Sequence, residues 1–263
     1  MAIHVLSLRP YYHPMQSVIP AEEKEVTYTE FLPCEALRPF IYCYWELKSP
    51  PRNTPFFYRV VADGCIDLFF ECDNPQMSSL MGYCNTYVEI PIMGAFHYVG
   101  VRFLPSAFPL LFGQDAFEIS AQEIPLREVV PALATFIAQQ LETSLSLATI
   151  AQRLDVYFLR YLSQRPLQID NRFFSALSQI LQSKGSIHIS QLDTGISPRQ
   201  LRRLFDYYIG DNPKTFSNIV RFQHILSAKA YHNHSFLDTY YDQAHFIKSF
   251  KTFYGDTPSK VLG

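Results

Sequence analysis

The sequence contains no run of 18 apolar residues, no Cys-x-x-Cys pair and, from residue 171 onward, no glutamate. The first absence excludes a membrane-spanning helix, which needs about 20 consecutive apolar residues. Residues 1–12 also lack the long apolar core of a secretory leader, so a cytoplasmic protein with no membrane partner is expected. In that compartment Cys34, Cys43, Cys65, Cys72 and Cys84 should be free thiols. Their spacing removes the zinc-finger reading. A soft-metal or redox site joining some of them to His97 is the alternative to the commoner role of free cysteine as a small buried hydrophobe. No metal or other cofactor is expected. A glycine-rich phosphate loop, a His-Glu-x-x-His pair and a nucleophile elbow are all missing, which argues against an enzyme. Thiol-based methyl transfer or redox chemistry is the one enzymatic reading left. There is no repeat of solenoid length.

What remains is a globular composition, 48% hydrophobic and 17% charged over 263 residues, enough for one large or two ordinary domains. The missing glutamate has a consequence for charge. Residues 171–263 hold eleven Lys or Arg against six Asp, a surplus of +5. The whole chain carries −2, so the preceding residues carry −7. An acidic N-terminal part joined to a basic C-terminal part favours a sensor or partner domain attached to a nucleic-acid-binding one, against ordinary variation between domains.

The texture changes along the chain. Residues 1–27 show no periodicity and are expected to form a loose lead-in. Between Phe31 and Phe103, aromatic and β-branched runs alternate with turn signals such as Pro50-Pro51, Asp63-Gly64 and Met93-Gly94. That spacing predicts a small barrel or sandwich. Helical spacing starts near Ala107, and Leu141, Leu145, Leu154, Phe158 and Leu162 form a seam suited to dimerisation or to core packing. Pro166 closes this region. The predicted fold class is α+β in two domains. A β-rich, barrel-like domain with terminal helices spans 1–165, and an all-α domain spans 170–263.

Three helix starts follow, each a capping residue before proline: Ser197-Pro198, Asn212-Pro213 and Thr257-Pro258. In the helix over 198–209, Leu201, Leu204, Phe205 and Tyr208 make one apolar face. Arg199, Gln200, Arg202 and Arg203 fall off it. Arginine pairs bidentately with guanine and glutamine with adenine, so this face suits major-groove readout. Residues 187–193 and the turn at 194–196 complete a helix-turn-helix pattern. A second copy runs over 242–254, with Phe246, Phe250 and Phe253 inward and Gln243, His245, Ile247, Lys248 and Lys251 outward. Each copy ends in Gly, then Asp, then a Pro-capped helix. A helix over 213–230, roughly 27 Å long, could space the two copies about one DNA turn apart. A basic helix met once is most often a solvated face. The duplication argues against that reading here.

The stretches Ser197-Pro198-Arg199-Gln200-Leu201-Arg202-Arg203-Leu204-Phe205, Gly210–Phe216, Arg221-Phe222-Gln223 and Tyr241–Lys251 resemble the DNA-binding domain of the AraC/XylS regulators. The resemblance covers about a third of the chain and implies two helix-turn-helix units joined by a long helix. It implies base contacts from Arg199, Arg202 and Arg203 in the first unit. In the second it implies Gln243, His245, Ile247 and Lys248, with Lys214 and Lys251 on phosphates. Two departures stand out: the first supporting helix is short, and residues 221–242 run about six residues below the family's length, leaving 232–240 to form linker and supporting helix together. Through Leu37-Arg38-Pro39-Phe40-Ile41 with Tyr44-Trp45, Arg59–Phe70, Val99–Pro105 and Leu111-Phe112-Gly113, segment 38–128 also resembles the N-terminal domain of one branch of these regulators.

In that half, Arg59, Asp63, Asp67 and Arg102 interrupt apolar strands. Arg59, Asp63, Asp67 and Arg102 could line a pocket with Tyr42, Tyr44 and Trp45; internal salt bridges are the blander role. The expected protein is therefore a transcriptional regulator whose partners are double-stranded DNA, a small-molecule effector and a second copy of itself. The alternative is a degenerate regulator that sequesters partner proteins without binding DNA.

Overall fold

The computed structural model describes residues 8–141, 144–227 and 243–262. Eight strands come first: β1 (Thr27–Phe31), β2 (Ile41–Ser49), β3 (Phe56–Val60), β4 (Ile66–Glu71), β5 (Asn74–Met81), β6 (Val88–Ile92), β7 (Phe96–Phe103) and β8 (Glu123–Pro125). Six of them form an antiparallel sheet in the order β1-β2-β7-β4-β5-β8, while β3 and β6 pair separately. The N-terminal β-rich region followed by helices is as expected, but the sheet is not a closed barrel. Its edge strands β1 and β8 do not pair with each other, and β3 and β6 lie over one face instead of joining the ring.

Alternation along the strands divides the side chains between two layers. Tyr44, Leu68, Phe70, Val99, Val101 and Phe103 enter the main core on one face. Cys43, Trp45 and Leu47 point the other way and pack with Phe56 and Tyr58 of β3. Register then sets side chains in rows across β2, β7 and β4. One row is Cys43, Arg102 and Asp67; the next is Trp45, Gly100 and Phe69. Glycine is needed in the second row for space: a Cβ on Gly100 would stand 2.3 Å from the Trp45 indole.

Helices α1 (Ala107–Phe112), α2 (Leu126–Val129), α3 (Pro131–Gln140) and α4 (Leu147–Ser163) follow. Asp155 of α4 ties the sheet down, accepting from Tyr44 Oη at 2.7 Å and from the Cys34 amide at 3.0 Å. Leu141, Leu154 and Phe158 of the predicted seam are buried within the chain, and Leu145 and Leu162 are partly buried against the same core.

The C-terminal part contains α5 (Asn171–Gln182), α6 (Pro198–Ile209), α7 (Pro213–Ser227), α8 (Gln243–Tyr254) and α9 (Pro258–Val261). Residues 187–193 do not form the expected helix. They make a single 3-10 turn, Ile189–Gln191, capped by His188 and lying between left-handed Gly185 and Gly195. Residues 228–230 of the long helix, and the linker and supporting helix expected over 232–240, lie outside the described residues.

Residues 8–26 are not a loose lead-in. Leu8 and Tyr12 are buried, and Tyr12 Oη donates to the Asp63 carbonyl at 2.5 Å. One buried cluster runs unbroken from the sheet into α5–α8.

Candidate nucleic-acid interface and ligand cavity

Helix α6 begins with a reciprocal cap. Ser197 Oγ accepts from the Gln200 amide, and Gln200 Oε1 accepts from the Ser197 amide. Leu201, Phe205, Tyr208 and Ile209 are buried, with Phe205 packed on Phe173 of α5 and Phe216 of α7. That fixes the opposite face outward, where Arg199, Gln200, Arg202 and Arg203 are all exposed. Arg202 makes one long contact with Asp206, 3.8 Å, a surface pair of little energetic weight.

Helix α8 repeats the plan. Phe246, Phe250 and Phe253 are buried, the last two on Phe222 of α7. Gln243, His245, Lys248 and Lys251 are exposed, while Ile247 is half-buried and packs against the core. Both helices end on a left-handed glycine, Gly210 (φ 99°) and Gly255 (φ 93°). Between them, the 15 described residues of α7 span about 22 Å at helical rise, and Lys214 is exposed at its start.

A feature not legible in the sequence is the docking of these helices on the sheet half. The Ala116 amide donates to the Tyr207 carbonyl of α6, and Ser120 Oγ donates to the Gly210 carbonyl. At α8, the Tyr87 amide donates to the Thr252 carbonyl and the Ala62 amide to the Phe253 carbonyl. Gln223 of α7, 1% exposed, donates to the Ala62 carbonyl at 2.8 Å and to the Met15 carbonyl at 3.2 Å. Its Oε1 accepts from the Met15 amide at 2.7 Å. The two candidate recognition helices are thus held at their C-terminal ends, with their capped or polar N-terminal halves turned outward. Loop residues Asp115 and Phe117 flank a groove beside Gln200, Arg203 and Tyr207.

Of the residues proposed for a pocket, Trp45, Asp63 and Asp67 line a cavity of about 270 Å³ between the two sheets. The others are placed elsewhere. Tyr44 lies on the opposite face, on Asp155. Tyr42 sits under the Arg9 guanidinium. Arg59 pairs with Glu89 at 2.7 Å and lies over the Tyr254 ring.

Arg102 stands behind the cavity, 1% exposed, bonded to both Asp67 oxygens at 3.1 and 2.8 Å and 3.4 Å from Asp63. Burial opposes its charge, but Asp67 and its neighbours more than offset this and push its pKa up. Burial likewise pushes the Asp63 and Asp67 carboxyls up, with Arg102 only partly compensating. Sequence reading placed Asp67 in the pocket but missed Phe69, Tyr98 and Glu123. Register was the absent information, since it carries these residues to the face shared with Trp45.

All five cysteines are free thiols, and four are buried. Burial pushes Cys65 up, and Cys84 and Cys72 to about 11 and about 12, so these thiols stay protonated at neutral pH. His97 pairs with Glu46 at 2.9 Å. Among the described residues no cluster of His, Cys, Asp or Glu could hold a metal ion. Among them, too, no helix is long and apolar enough to cross a membrane.

The fold and sites define a chain with an acidic, cavity-bearing sheet half docked on a basic helical half. Residues 29–125 match a family model described as a domain of unknown function, DUF6597. No curated protein matches the chain. The crystal structure of ToxT from Vibrio cholerae O395 is similar over 91% of this chain and 98% of that one, at 10% identity and a TM-score of 0.42. A likeness at that level carries no functional weight.

Proposed function

We propose that this chain is a sequence-specific DNA-binding transcriptional regulator, with a sheet domain over 1–165 that holds a small ligand and a DNA-binding domain over 170–263. The observation that carries the reading is α6. Its apolar face is buried, its N-terminus is capped, and three arginines and a glutamine stand exposed on the remaining face. The sequence resemblance of 172–263 to AraC/XylS regulators points the same way. Arg199, Arg202 and Arg203 read bases from α6, and Gln243, His245 and Lys248 from α8; Gln200, expected as a reader, is instead held in the cap by Ser197, and Ile247, also expected as one, packs against the core. Lys214 and Lys251 contact phosphates.

A route for ligand control runs through residues 61–63. Val61 and Asp63 line the cavity, while Ala62 between them bonds to both α7 and α8. A ligand that shifts this segment shifts the helices it holds. The route depends on differential binding to two arrangements of the helices.

The test is selection of bound fragments from genomic DNA, followed by gel shifts with Arg203→Ala. Loss of one bidentate base contact costs about 1–3 kcal/mol on the cognate site, with far less loss on scrambled duplex. Equal losses on both refute a base-reading role.

Sequestration without DNA binding is the second reading, and the single 3-10 turn where a supporting helix was expected favours it. Total absence of binding to genomic fragments at low salt would select it.

A further inference from the structure

We propose that the cavity between the two sheets takes a small organic cation, a primary amine carried on an aromatic body. The inference rests on reading the cavity as a ligand site and adds the chemistry of the ligand. Three carboxylates, Asp63, Asp67 and Glu123, are among its lining residues, and no Lys, Arg or His is. The nearby guanidinium is already committed. Arg102 is buried behind Asp67 and Asp63 and bonded to the former through two nitrogens. Asp63 lies 3.4 Å from the same guanidinium and is otherwise bonded to uncharged donors, the Gln16 side-chain amide at 2.7 Å and the Cys65 amide at 2.9 Å. Two carboxylates thus share one guanidinium, and a ligand ammonium beside them would balance the second.

The remaining walls favour an aromatic cation. Trp45, Tyr58, Phe69 and Tyr98 all line the cavity, and their ring faces attract an ammonium. A dry cavity of roughly 150 Å³ holds benzene, so about 270 Å³ accommodates a ring with a short aminoalkyl chain.

The chain contains a single tryptophan, and it lines this cavity, so Trp45 fluorescence reports occupancy directly. The full chain is titrated with 2-phenylethylamine, its neutral isostere 2-phenylethanol and its anionic isostere phenylacetate. The amine is expected to bind at least about tenfold more tightly than the alcohol, which corresponds to roughly 1.4 kcal/mol. The carboxylate should bind most weakly. Asp67→Asn should erase the preference of amine over alcohol. Glu123→Gln, on exposed edge strand β8, should reduce it without threatening the fold. Carboxylate binding equal to or tighter than amine binding overturns the cationic assignment while leaving the cavity as a ligand site. Absence of saturable quenching by all three overturns the site itself. Neither result touches the DNA-binding reading, which the gel shifts test separately.

Discussion

Gln223→Leu is the sharpest probe of how the two halves communicate. Leucine has nearly the same volume and suits a buried helix position, so packing loss is small. What is lost is a three-bond clamp to Met15 and Ala62. Met15 is 38% exposed, so water can replace the amide at its amide and carbonyl groups. Ala62 is fully buried, and its carbonyl loses the side chain that reaches it from α7. A buried polar group left unsatisfied costs about 1–3 kcal/mol, and the two water-replaced bonds add a few tenths each. The sum is about 1.5–4 kcal/mol. For a chain of this size that lowers the melting temperature by roughly 3–16 °C. The damage should be local. The Ala62 amide, bonded to the Phe253 carbonyl, should exchange with solvent faster, and so should the Met15 amide. Thermal melting and amide hydrogen exchange read both quantities. A melting shift under about 1 °C, together with unchanged protection at Ala62, would refute the argument that Gln223 holds α7 and α8 to the sheet.

Further substitutions test the other elements. Gly100→Ala places a methyl 2.3 Å from the indole where ordinary contact begins at 3.4 Å, so Trp45 must move by over an ångström; destabilisation of about 1–3 kcal/mol and a shifted Trp45 emission are expected. Ser197→Ala removes the reciprocal cap of α6 and should cost about 1 kcal/mol in denaturant melts, with no change if the helix is held by packing alone. Lys214→Ala and Lys251→Ala should each reduce the slope of log affinity against log salt by about 1 on any duplex, and an unchanged slope would remove them from the phosphate contacts.

Much of the helical half was legible because its signals are local. Capping residues before Pro198, Pro213 and Pro258, glycines at 210 and 255, and 3.6-residue spacing of Leu201, Phe205 and Tyr208 each act within one or two turns. They predicted α6 over the observed residues 198–209. The same logic failed at 187–193, where the reciprocal cap between His188 and Gln191 closes a single 3-10 turn instead of opening a helix.

The sheet half shows where local signals stop. Composition and alternation determined that Phe31–Phe103 would be strands, and that its charged residues would sit among apolar ones. They could not decide that Asp67, Trp45 and Phe69 share a face with the β3–β6 pair, while Tyr44 does not. That depends on strand order and register, which are relations between segments far apart in the chain. Gln223 makes the same point: along α7 it is one polar residue on an apolar face, and only the approach of Ala62, 161 residues away, gives it a partner. Helix periodicity is a property of neighbours, whereas the cavity and the clamp exist only once distant segments have packed.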